Sequence, residues 1–318
     1  MNANITEHII LVHKGNSFYL RYAIEQIRKT NKNCEIHLLG DEANAHYGNT
    51  IKQHDIKKYS DRSDELTRSY VHYSSLSYEF EIFAIQRWFI IQEFVERHNV
   101  NRFFYIDSDV MIYIDVNKEI NKFSDYQIAL SVSPPAHLSV SGHVSFWMNK
   151  KILNDFCDFV FDLYARKNSP EYLEMVDHYK ELQQQGKGGG VCDMVLLYFF
   201  CRKRSKLVYN IQTEINDSLY DTTIMGMNVG KYFFQKQGYI KKIYWKNNRP
   251  YGKDIKTGKL IGFNSLHFQG DNKDLMPYFS TYKGFYDSLR YNNIMLAYHI
   301  FMKMVRYKLR SIYSKFKS

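Results

Sequence analysis

The stretch FFYIDSDVMIY, residues 103–113, places two carboxylates between two apolar runs. Residues 102–106 predict a buried strand, and Asp107 and Asp109 follow it two positions apart. In extended backbone such residues point to the same side, so both carboxylates can bind one cation. Burying them beside apolar strands is costly without a partner, although Asp and Ser also favour solvated turns. The stretch therefore predicts a site for a hard divalent ion, Mn²⁺ or Mg²⁺, which can bridge to substrate phosphates.

Strands and helices alternate on both sides of this stretch. The sequence predicts a strand at 8–13, a helix at 17–30 and a strand at 34–39, which together are typical of a βαβ unit. Residues 79–98 predict a long, buried helix, whereas residues 51–78 are polar and predict no regular element. Further strands are predicted at 110–114, 127–132, 144–148 and within 206–266, and further helices at 151–167, 171–184 and 191–201. We expect an α/β fold with a mixed, mainly parallel sheet flanked by helices, and ligands bound at the carboxyl ends of its strands.

Composition and charge narrow the classes of function. Of the 318 residues, 45% are hydrophobic and 24% charged, so the chain can bury a sizeable core. The net charge of +10 indicates an anionic partner: a nucleotide, an acidic glycan, a nucleic acid or a membrane. The four cysteines form no C-x-x-C pair, which favours reduced, buried thiols. Without a signal peptide or a run of about 20 apolar residues, we expect a cytoplasmic protein.

Two segments resemble known glycosyltransferases. Residues 103–113 resemble the D-x-D segment of GT-A fold enzymes. Residues 265–273, SLHFQGDNK, resemble the H-F-x-G-x-x-K segment of the glycogenin-like and lipooligosaccharide galactosyltransferase-like families, although those families usually continue with Pro-Trp. In those families the His completes the metal shell, and the Gly and Lys contact the donor diphosphate. The resemblance therefore implies a metal site and a diphosphate site, formed by Asp107, Asp109 and His267 and by Gly270 and Lys273, respectively.

Three further segments resemble parts of the same fold. Residues 8–15 resemble the first strand and loop, which holds the nucleotide. Residues 141–148 resemble the segment that lines the sugar pocket, and residues 188–193 resemble the loop that brings an acidic residue to the donor sugar. The residues implied are Val12, His13 and Gly15 at the nucleotide, Gly142 and His143 at the sugar, and Asp193 as the catalytic carboxylate. The structural alternatives are ordinary turns and a carboxylate that begins a helix.

The resemblance implies a metal-dependent hexosyltransferase of polysaccharide or lipopolysaccharide biosynthesis. Such an enzyme moves a sugar, with retention, from a nucleotide sugar, expected to be UDP-linked, to a glycan or lipid-linked glycan. The alternative is a haloacid-dehalogenase-like phosphatase with Asp107 as nucleophile, whose D-x-D-x-[TV] motif has Met111 in its fifth position here. A sugar nucleotidylyltransferase would need a Gly-rich loop after the first strand, which HKGNSF is not. No recognisable nucleic-acid-binding motif is present, so we expect no nucleic-acid partner.

The C-terminal segment differs in character from the rest of the chain. We expect a GT-A catalytic domain at residues 1–275 and a basic helical tail at residues 276–318. From residue 299 onward the tail has six Lys or Arg residues and no acid. Its apolar residues recur at helical spacing: Ile300, Phe301, Met304, Val305, Leu309 and Ile312. Such a helix can hold the protein peripherally on the anionic inner face of a membrane, and the alternative is a helix docked on the domain.

Overall fold

The computed structural model describes residues 7–134, 138–280 and 289–317, and in the last helix it describes side chains from 294 to 310. The chain forms two compact units, each assembled from three segments. Unit 1 comprises Met1–Ser17, Asn33–Ser108 and Asp115–Ile211. Unit 2 comprises Phe18–Lys32, Asp109–Ile114 and Gln212–Ser318. The chain therefore passes from unit 1 to unit 2 inside the predicted D-x-D motif, and the predicted division at residue 275 stays a prediction.

Strands and short 3₁₀ turns alternate with helices along the described chain. The strands are β1 His8–His13, β2 Glu35–Gly40, β3 Lys52–Asp55, β4 Phe103–Ile106, β5 Val110–Ile112, β6 Ile128–Val132, β7 Val140–Trp147, β8 Val208–Asn210, β9 Ser218–Tyr220, β10 Asn228–Val229, β11 Tyr232–Phe233, β12 Lys236–Gln237, β13 Ile240–Lys241, β14 Ile243–Lys246, β15 Arg249–Lys253 and β16 Leu260–His267. The helices are α1 Leu20–Thr30, α2 Asp61–Ser69, α3 Tyr78–Arg97, α4 Val116–Glu119, α5 Lys150–Arg166, α6 Pro170–Gln184, α7 Asp193–Arg202, α8 Met276–Phe279 and α9 Leu289–Lys317.

Unit 1 is built on a seven-stranded sheet with the order β3-β2-β1-β4-β7-β6-β8. The β1–β2, β2–β3, β1–β4 and β6–β8 pairs are parallel, whereas β7 runs antiparallel to β4 and β6. Apolar side chains of α3, α5 and α7 form one core with the strands, and Trp88 and Trp147 are fully buried within it. The predicted α/β fold with a mixed, mainly parallel sheet is confirmed. The adjacent parallel strands β1, β2 and β4 bring their carboxyl ends to one edge, where the candidate site lies.

Unit 2 has its own sheet, in the order β14-β15-β16-β5, with β9 parallel to β16. β5 is short and fully buried, and it pairs antiparallel with the end of β16 in the register His267↔Val110. This pairing brings residues 110–112 next to residues 265–267, although the two stretches lie far apart in the sequence. Apolar side chains of the sheet, α8 and α9 form the core of the unit, with Phe263 and Leu266 fully buried.

The polar stretch at 51–78 is not irregular, so that prediction was wrong. It contains β3, which pairs in parallel with β2 at the edge of the sheet, and the helix α2. An edge strand needs few apolar side chains, because its backbone hydrogen bonds hold it in place. α2 buries only Ser63 and Leu66, so its apolar periodicity is weak. Acidic residues in the first turn, Asp61 and Asp64, favour the helix through its dipole.

The predicted C-terminal helix is present as α9, and its first half docks on unit 2. Leu296 and Ile300 are buried in the core of that unit, and Lys303 Nζ lies 2.7 Å from Asp274 Oδ1. Neighbouring positions are about 100° apart on a helix, so Ile300 and Phe301 face different ways. The predicted single apolar stripe is therefore divided between a docked face and an outer face. The side chains of Ile312, Lys315 and Lys317, which belong to the predicted tail, lie outside the described residues.

None of the helices in the described part of the chain is both long enough and apolar enough to cross a membrane.

Replacing Gly142 by Ala should destabilise unit 1. A Cβ at this position in β7 would lie 2.6 Å from the Trp88 ring and 3.3 Å from Leu197, so the buried indole would have to move. We expect a loss of about 1–3 kcal/mol, typical of overpacked cores, in urea unfolding. Gly48→Ala is the matched control, because its Cβ meets only Gln53 at 3.8 Å. Equal stability of the two variants would contradict this close packing.

Candidate functional site

Asp107 follows β4 at the carboxyl end of the unit 1 sheet. Its backbone N–H donates to the His143 carbonyl at 2.8 Å, which continues the β4–β7 pairing past the strand. Its Oδ1 accepts from Arg87 Nη1 at 2.7 Å and from the Tyr105 hydroxyl at 2.6 Å. Burial raises the pKa of Tyr105 well above its ordinary value, so this hydroxyl stays protonated and donates. Two donors thus hold the Asp107 carboxylate, and its backbone N–H is fixed by β7.

Arg87 links Asp107 to Asp193, the carboxylate that was predicted at the donor sugar. Its Nη2 lies 2.5 Å from Asp193 Oδ2, which also accepts from Trp88 Nε1 at 3.1 Å. Burial opposes the positive charge, yet Asp107 and Asp193 raise the pKa of Arg87 well above its ordinary value. Asp193 begins α7, where the helix dipole also favours a negative charge. A single cation therefore stabilises two carboxylates at this edge of unit 1.

Gly142 and His143, predicted at the donor sugar, lie inside β7 rather than in a turn. Gly142 leaves room for the Trp88 ring, which in turn holds Asp193. His143 is buried, and its Nδ1 lies 2.7 Å from the Ser141 hydroxyl. Both residues therefore help to position the carboxylates of unit 1, and their predicted contact with a sugar stays a prediction.

The loop after β1 is fixed by the segment that follows β2. Gly15 has a φ of +81°, and its N–H donates to Asp41 Oδ2 at 2.8 Å. Asn44 Nδ2 donates to the His13 carbonyl at 2.8 Å, and His13 Nδ1 lies 2.9 Å from the Ser108 hydroxyl. The loop and the D-x-D segment thus meet at the edge where the nucleotide was predicted. Val12 points into the core, so its side chain contributes packing there.

The GKGGG loop before Asp193 is hydrogen-bonded along its length. The Gly189 N–H donates to the Ser75 hydroxyl at 2.8 Å, and the Ser75 N–H donates to the Gly189 carbonyl at 3.0 Å. Gly190 has a φ of +157°, and a Cβ there would lie 2.2 Å from the Tyr73 carbonyl oxygen. Glycine is required at this position because the two backbones approach so closely. The loop sets the start of α7, and with it the position of Asp193.

In unit 2, Asp109 lies among a histidine and a lysine from the end of the chain. Its Oδ1 is 3.5 Å from His267 Nε2, and its Oδ2 is 3.1 Å from Lys273 Nζ. Burial alone would raise the pKa of the Asp109 carboxyl, but His267 and Lys273 hold it well below its usual range. The backbone also joins the segments, since the Phe268 N–H donates to the Asp109 carbonyl at 2.9 Å. The structure therefore brings together three of the four predicted residues of this unit.

His267 is oriented by a second layer of hydrogen bonds. Its Nδ1 is 2.7 Å from the Thr222 carbonyl oxygen, which can only accept, so Nδ1 carries the proton. Its backbone N–H donates to Asp221 Oδ2 at 3.2 Å. Asp221 forms a fully buried ion pair with Lys241, whose Nζ lies 2.7 Å from Asp221 Oδ1. A ring fixed in this way points Nε2 toward Asp109, as metal-binding imidazoles require.

Gly270 and Lys273 lie in the 3₁₀ turn that follows β16. Gly270 has a φ of +63°, and no atom lies within 4 Å of a Cβ built there, so its backbone is open to an incoming group. Lys273 Nζ also lies over the Tyr19 ring, 5.5 Å from its centroid. The side chain of Lys273 is 29% exposed, so its ammonium can reach a ligand in solvent.

The chain is similar in structure to several glycosyltransferases. Mouse xyloside xylosyltransferase 1 is 12% identical over 68% of this chain and 88% of its own, with a TM-score of 0.48. WbbM, a bifunctional glycosyltransferase, is 12% identical over 86% of this chain and 47% of its own, with a TM-score of 0.47. The galactosyltransferase LgtC, in complex with donor and acceptor sugar analogs, is 14% identical over 61% of this chain and 70% of its own, with a TM-score of 0.35.

No protein-family model and no curated protein sequence matches the chain. The chain spans 46% of GlyE, a glycosyltransferase of Streptococcus pneumoniae, and 47% of WbbM. Structural similarity at this level gives no information about the chemistry of the site. That chemistry is inferred from the residues of this chain alone.

Sequence reasoning missed the residues that hold the candidate carboxylates. Arg87 is the one cation in the middle of a helix that is apolar over most of its circumference, with Arg97 in the last turn, and this pattern could have indicated it. Asp221 and Lys241 lie among polar turns and short strands, where no local pattern marks a buried ion pair. In the sequence, Trp88 and Tyr105 are indistinguishable from ordinary core aromatics. Only the fold shows that their polar atoms donate hydrogen bonds to Asp193 and Asp107, respectively.

Replacing Arg87 by Met should destabilise the protein strongly. The change leaves Asp107 and Asp193 without their shared cation. Removing one partner of a buried ion pair costs about 3–5 kcal/mol, and we expect a loss toward the lower end of this range because Arg87 and Asp107 are partly exposed. Arg166→Met is the control, because its ion pair with Asp162 is solvent-exposed and should contribute about 1 kcal/mol or less. Urea unfolding measures the free energy of unfolding of both variants and of the wild type. A loss in Arg87→Met no larger than in the control would show that the bridge is not a buried ion pair.

Proposed function

We propose that the chain is a metal-dependent glycosyltransferase that uses a nucleotide-sugar donor. One observation carries the proposal: a buried carboxylate, an oriented imidazole and a half-exposed lysine converge at Asp109, His267 and Lys273. A carboxylate and an imidazole suit Mn²⁺ or Mg²⁺, and a lysine suits the phosphates that such ions bind. This donor set supports transfer from a nucleoside diphosphate sugar better than hydrolysis without a metal.

The side chains of unit 2 fit a divalent ion. Because His267 Nδ1 donates to the Thr222 carbonyl, the ring presents Nε2 to Asp109, and loss of the Nε2 proton would leave a lone pair there for a metal. Two acceptors 3.5 Å apart are a suitable pair of ligands for one cation. Asp107, the other carboxylate of the D-x-D motif, stays a ligand predicted from the sequence, and its Oδ1 accepts two hydrogen bonds. The bound ion would supply charge stabilisation for the leaving nucleoside diphosphate.

Lys273 and Gly270 are the proposed contacts to the donor diphosphate. Lys273 now pairs with Asp109, and on donor binding it can exchange that carboxylate for a phosphate oxygen. An ammonium is a compact charge that neutralises phosphate well. Gly270 offers open backbone three residues earlier, so the peptide can approach the same group. We infer that His13 and Gly15 hold the nucleotide, with UDP as the preferred one.

Asp193 is the proposed carboxylate at the donor sugar. Arg87 and Trp88 both bind its Oδ2, which fixes the orientation of the carboxylate and directs Oδ1 toward sugar hydroxyls. The acceptor, a glycan or lipid-linked glycan, then attacks the anomeric carbon. We propose retention, with the leaving phosphate close to the incoming hydroxyl. The phosphatase alternative is weaker, because Asp107, its nucleophile, accepts hydrogen bonds from a permanent cation and a phenol.

Replacing Asp109 by Asn should abolish the Mn²⁺-dependent part of UDP binding. The amide keeps the shape of the side chain but removes the charge that a metal needs, so affinity should fall at least about tenfold. Isothermal titration of UDP, with Mn²⁺ and with EDTA, measures this. Asp125→Asn, at an exposed Asp, is the matched control. Unchanged Mn²⁺-dependent binding in Asp109→Asn would place the metal elsewhere.

The outer face of α9 is a proposed contact for an anionic membrane. Exposed apolar side chains recur along it at intervals of three or four residues: Ile294, Tyr298, Phe301 and Leu309, with half-buried Val305 between the last two. Arg306, Lys308 and Arg310 are exposed nearby, and the helix sequence contains no acid. Such a face can lie in the headgroup region, with cations near lipid phosphates. A protein held there on the inner face of a membrane can reach a lipid-linked acceptor.

Replacing Phe301 and Leu309 together by Asp should release the protein from vesicles that contain phosphatidylserine. Each apolar side chain contributes about 1.5–3 kcal/mol when buried, so partitioning should fall by well over tenfold. Co-sedimentation at low salt measures this. Ile255→Asp is the control, since Ile255 is exposed elsewhere in unit 2. The membrane proposal fails if the wild type does not sediment, or if the double variant sediments equally well.

A further inference from the structure

A second cluster of titratable side chains lies in unit 1, at the opposite end of β1 from His13. His8 begins β1, and Glu35 and His37 lie in the first half of β2, where Glu35 pairs with His8 in the parallel ladder. Among the described residues, this is the one group of three His, Cys or acidic side chains with ligand atoms all within 4.8 Å of one another. The proposed transferase site uses none of them.

The three ligand atoms form a triangle of suitable size for a small transition-metal ion. His8 Nδ1 is 3.0 Å from His37 Nε2, and Glu35 Oε2 is 3.7 Å from the first nitrogen and 3.6 Å from the second. Ligands about 2.0–2.2 Å from a tetrahedral Zn²⁺ are roughly 3.3–3.6 Å apart. Small side-chain movements would therefore complete three corners of a tetrahedron.

The hydrogen bonds of His37 suit a metal-binding imidazole. Its Nδ1 is 3.1 Å from His54 Nε2, and with the proton on Nδ1 it donates to that ring and leaves the Nε2 lone pair toward His8. Such an outer hydrogen bond fixes the orientation of a ligating ring. His8 becomes a ligand by moving its proton from Nδ1 to Nε2, with no change in charge.

Glu35 is the anionic ligand of this group and lies on its solvent-exposed side. Its side chain is 36% exposed, so water can reach a fourth position beside it. Lys52 Nζ lies 2.8 Å from the same Oε2, but Lys52 is 56% exposed on the edge strand β3 and can turn into solvent. The Lys52 ammonium therefore balances the charge of Glu35 until a metal cation takes its place.

We propose that His8, Glu35 and His37 bind a divalent transition metal of the zinc class, with water as the fourth ligand. The ion would link β1 to β2 at the end of the sheet away from the predicted donor. Because it binds the folded chain, it would stabilise unit 1 in proportion to its concentration.

Zinc binding to the purified full chain tests this proposal. Zinc content is measured after equilibrium dialysis, and thermal unfolding is followed with and without Zn²⁺. His8→Asn and Glu35→Gln should each weaken binding at least about tenfold and remove the Zn²⁺-dependent rise in Tm. His46→Asn, at an exposed histidine outside the cluster, should behave like the wild type.

The Asp109→Asn variant separates this site from the proposed transferase site. It should lose Mn²⁺-dependent UDP binding and keep the zinc-dependent rise in Tm. The zinc proposal is overturned if the wild type shows no such rise, or if His8→Asn and Glu35→Gln bind zinc as tightly as the wild type.

Discussion

The guanidinium of Arg87 lies between the carboxylates of Asp107 and Asp193, and the candidate site of unit 1 depends on this bridge. Arg87 comes from α3, whereas the carboxylates come from the end of β4 and the start of α7. Without a cation, the buried charge of Asp193 beside the partly exposed charge of Asp107 would be unfavourable, so the bridge favours bringing these three elements together when the chain folds. Trp88 and Tyr105 add donors to the same carboxylates and surround the charges with aromatic rings.

Unit 2 neutralises its carboxylate in a different way. Asp109 contacts Lys273 and His267, and Lys273 is partly exposed to solvent, whereas the Arg87 cation is held between two carboxylates. A lysine at such a position can exchange its partner for a phosphate, and an imidazole can exchange a proton for a metal. The D-x-D motif thus contains one carboxylate with a permanent cation and another with exchangeable partners. This difference supports the proposal that Asp109 is the main metal ligand.

The sequence predicted the parts of the site that follow from local pattern. An apolar strand before two carboxylates, and the H-F-x-G-x-x-K match, identified Asp109, His267 and Lys273. Residues that act through tertiary packing could not be predicted in the same way. Lys241 becomes informative only when the fold places it against Asp221. Docking of α9 on the domain was only the alternative, because helical spacing alone does not show which side of a helix meets the domain.

We propose that Asp109 and His267 bind the metal of a nucleotide-sugar transferase. A crystal structure of the chain with Mn²⁺ and UDP, with anomalous data that locate manganese, tests it most directly. We expect a manganese peak within about 2.3 Å of both an Asp109 carboxylate oxygen and His267 Nε2, with Lys273 on the diphosphate. Bound UDP with manganese at other residues, or with Lys273 still paired to Asp109, would contradict it.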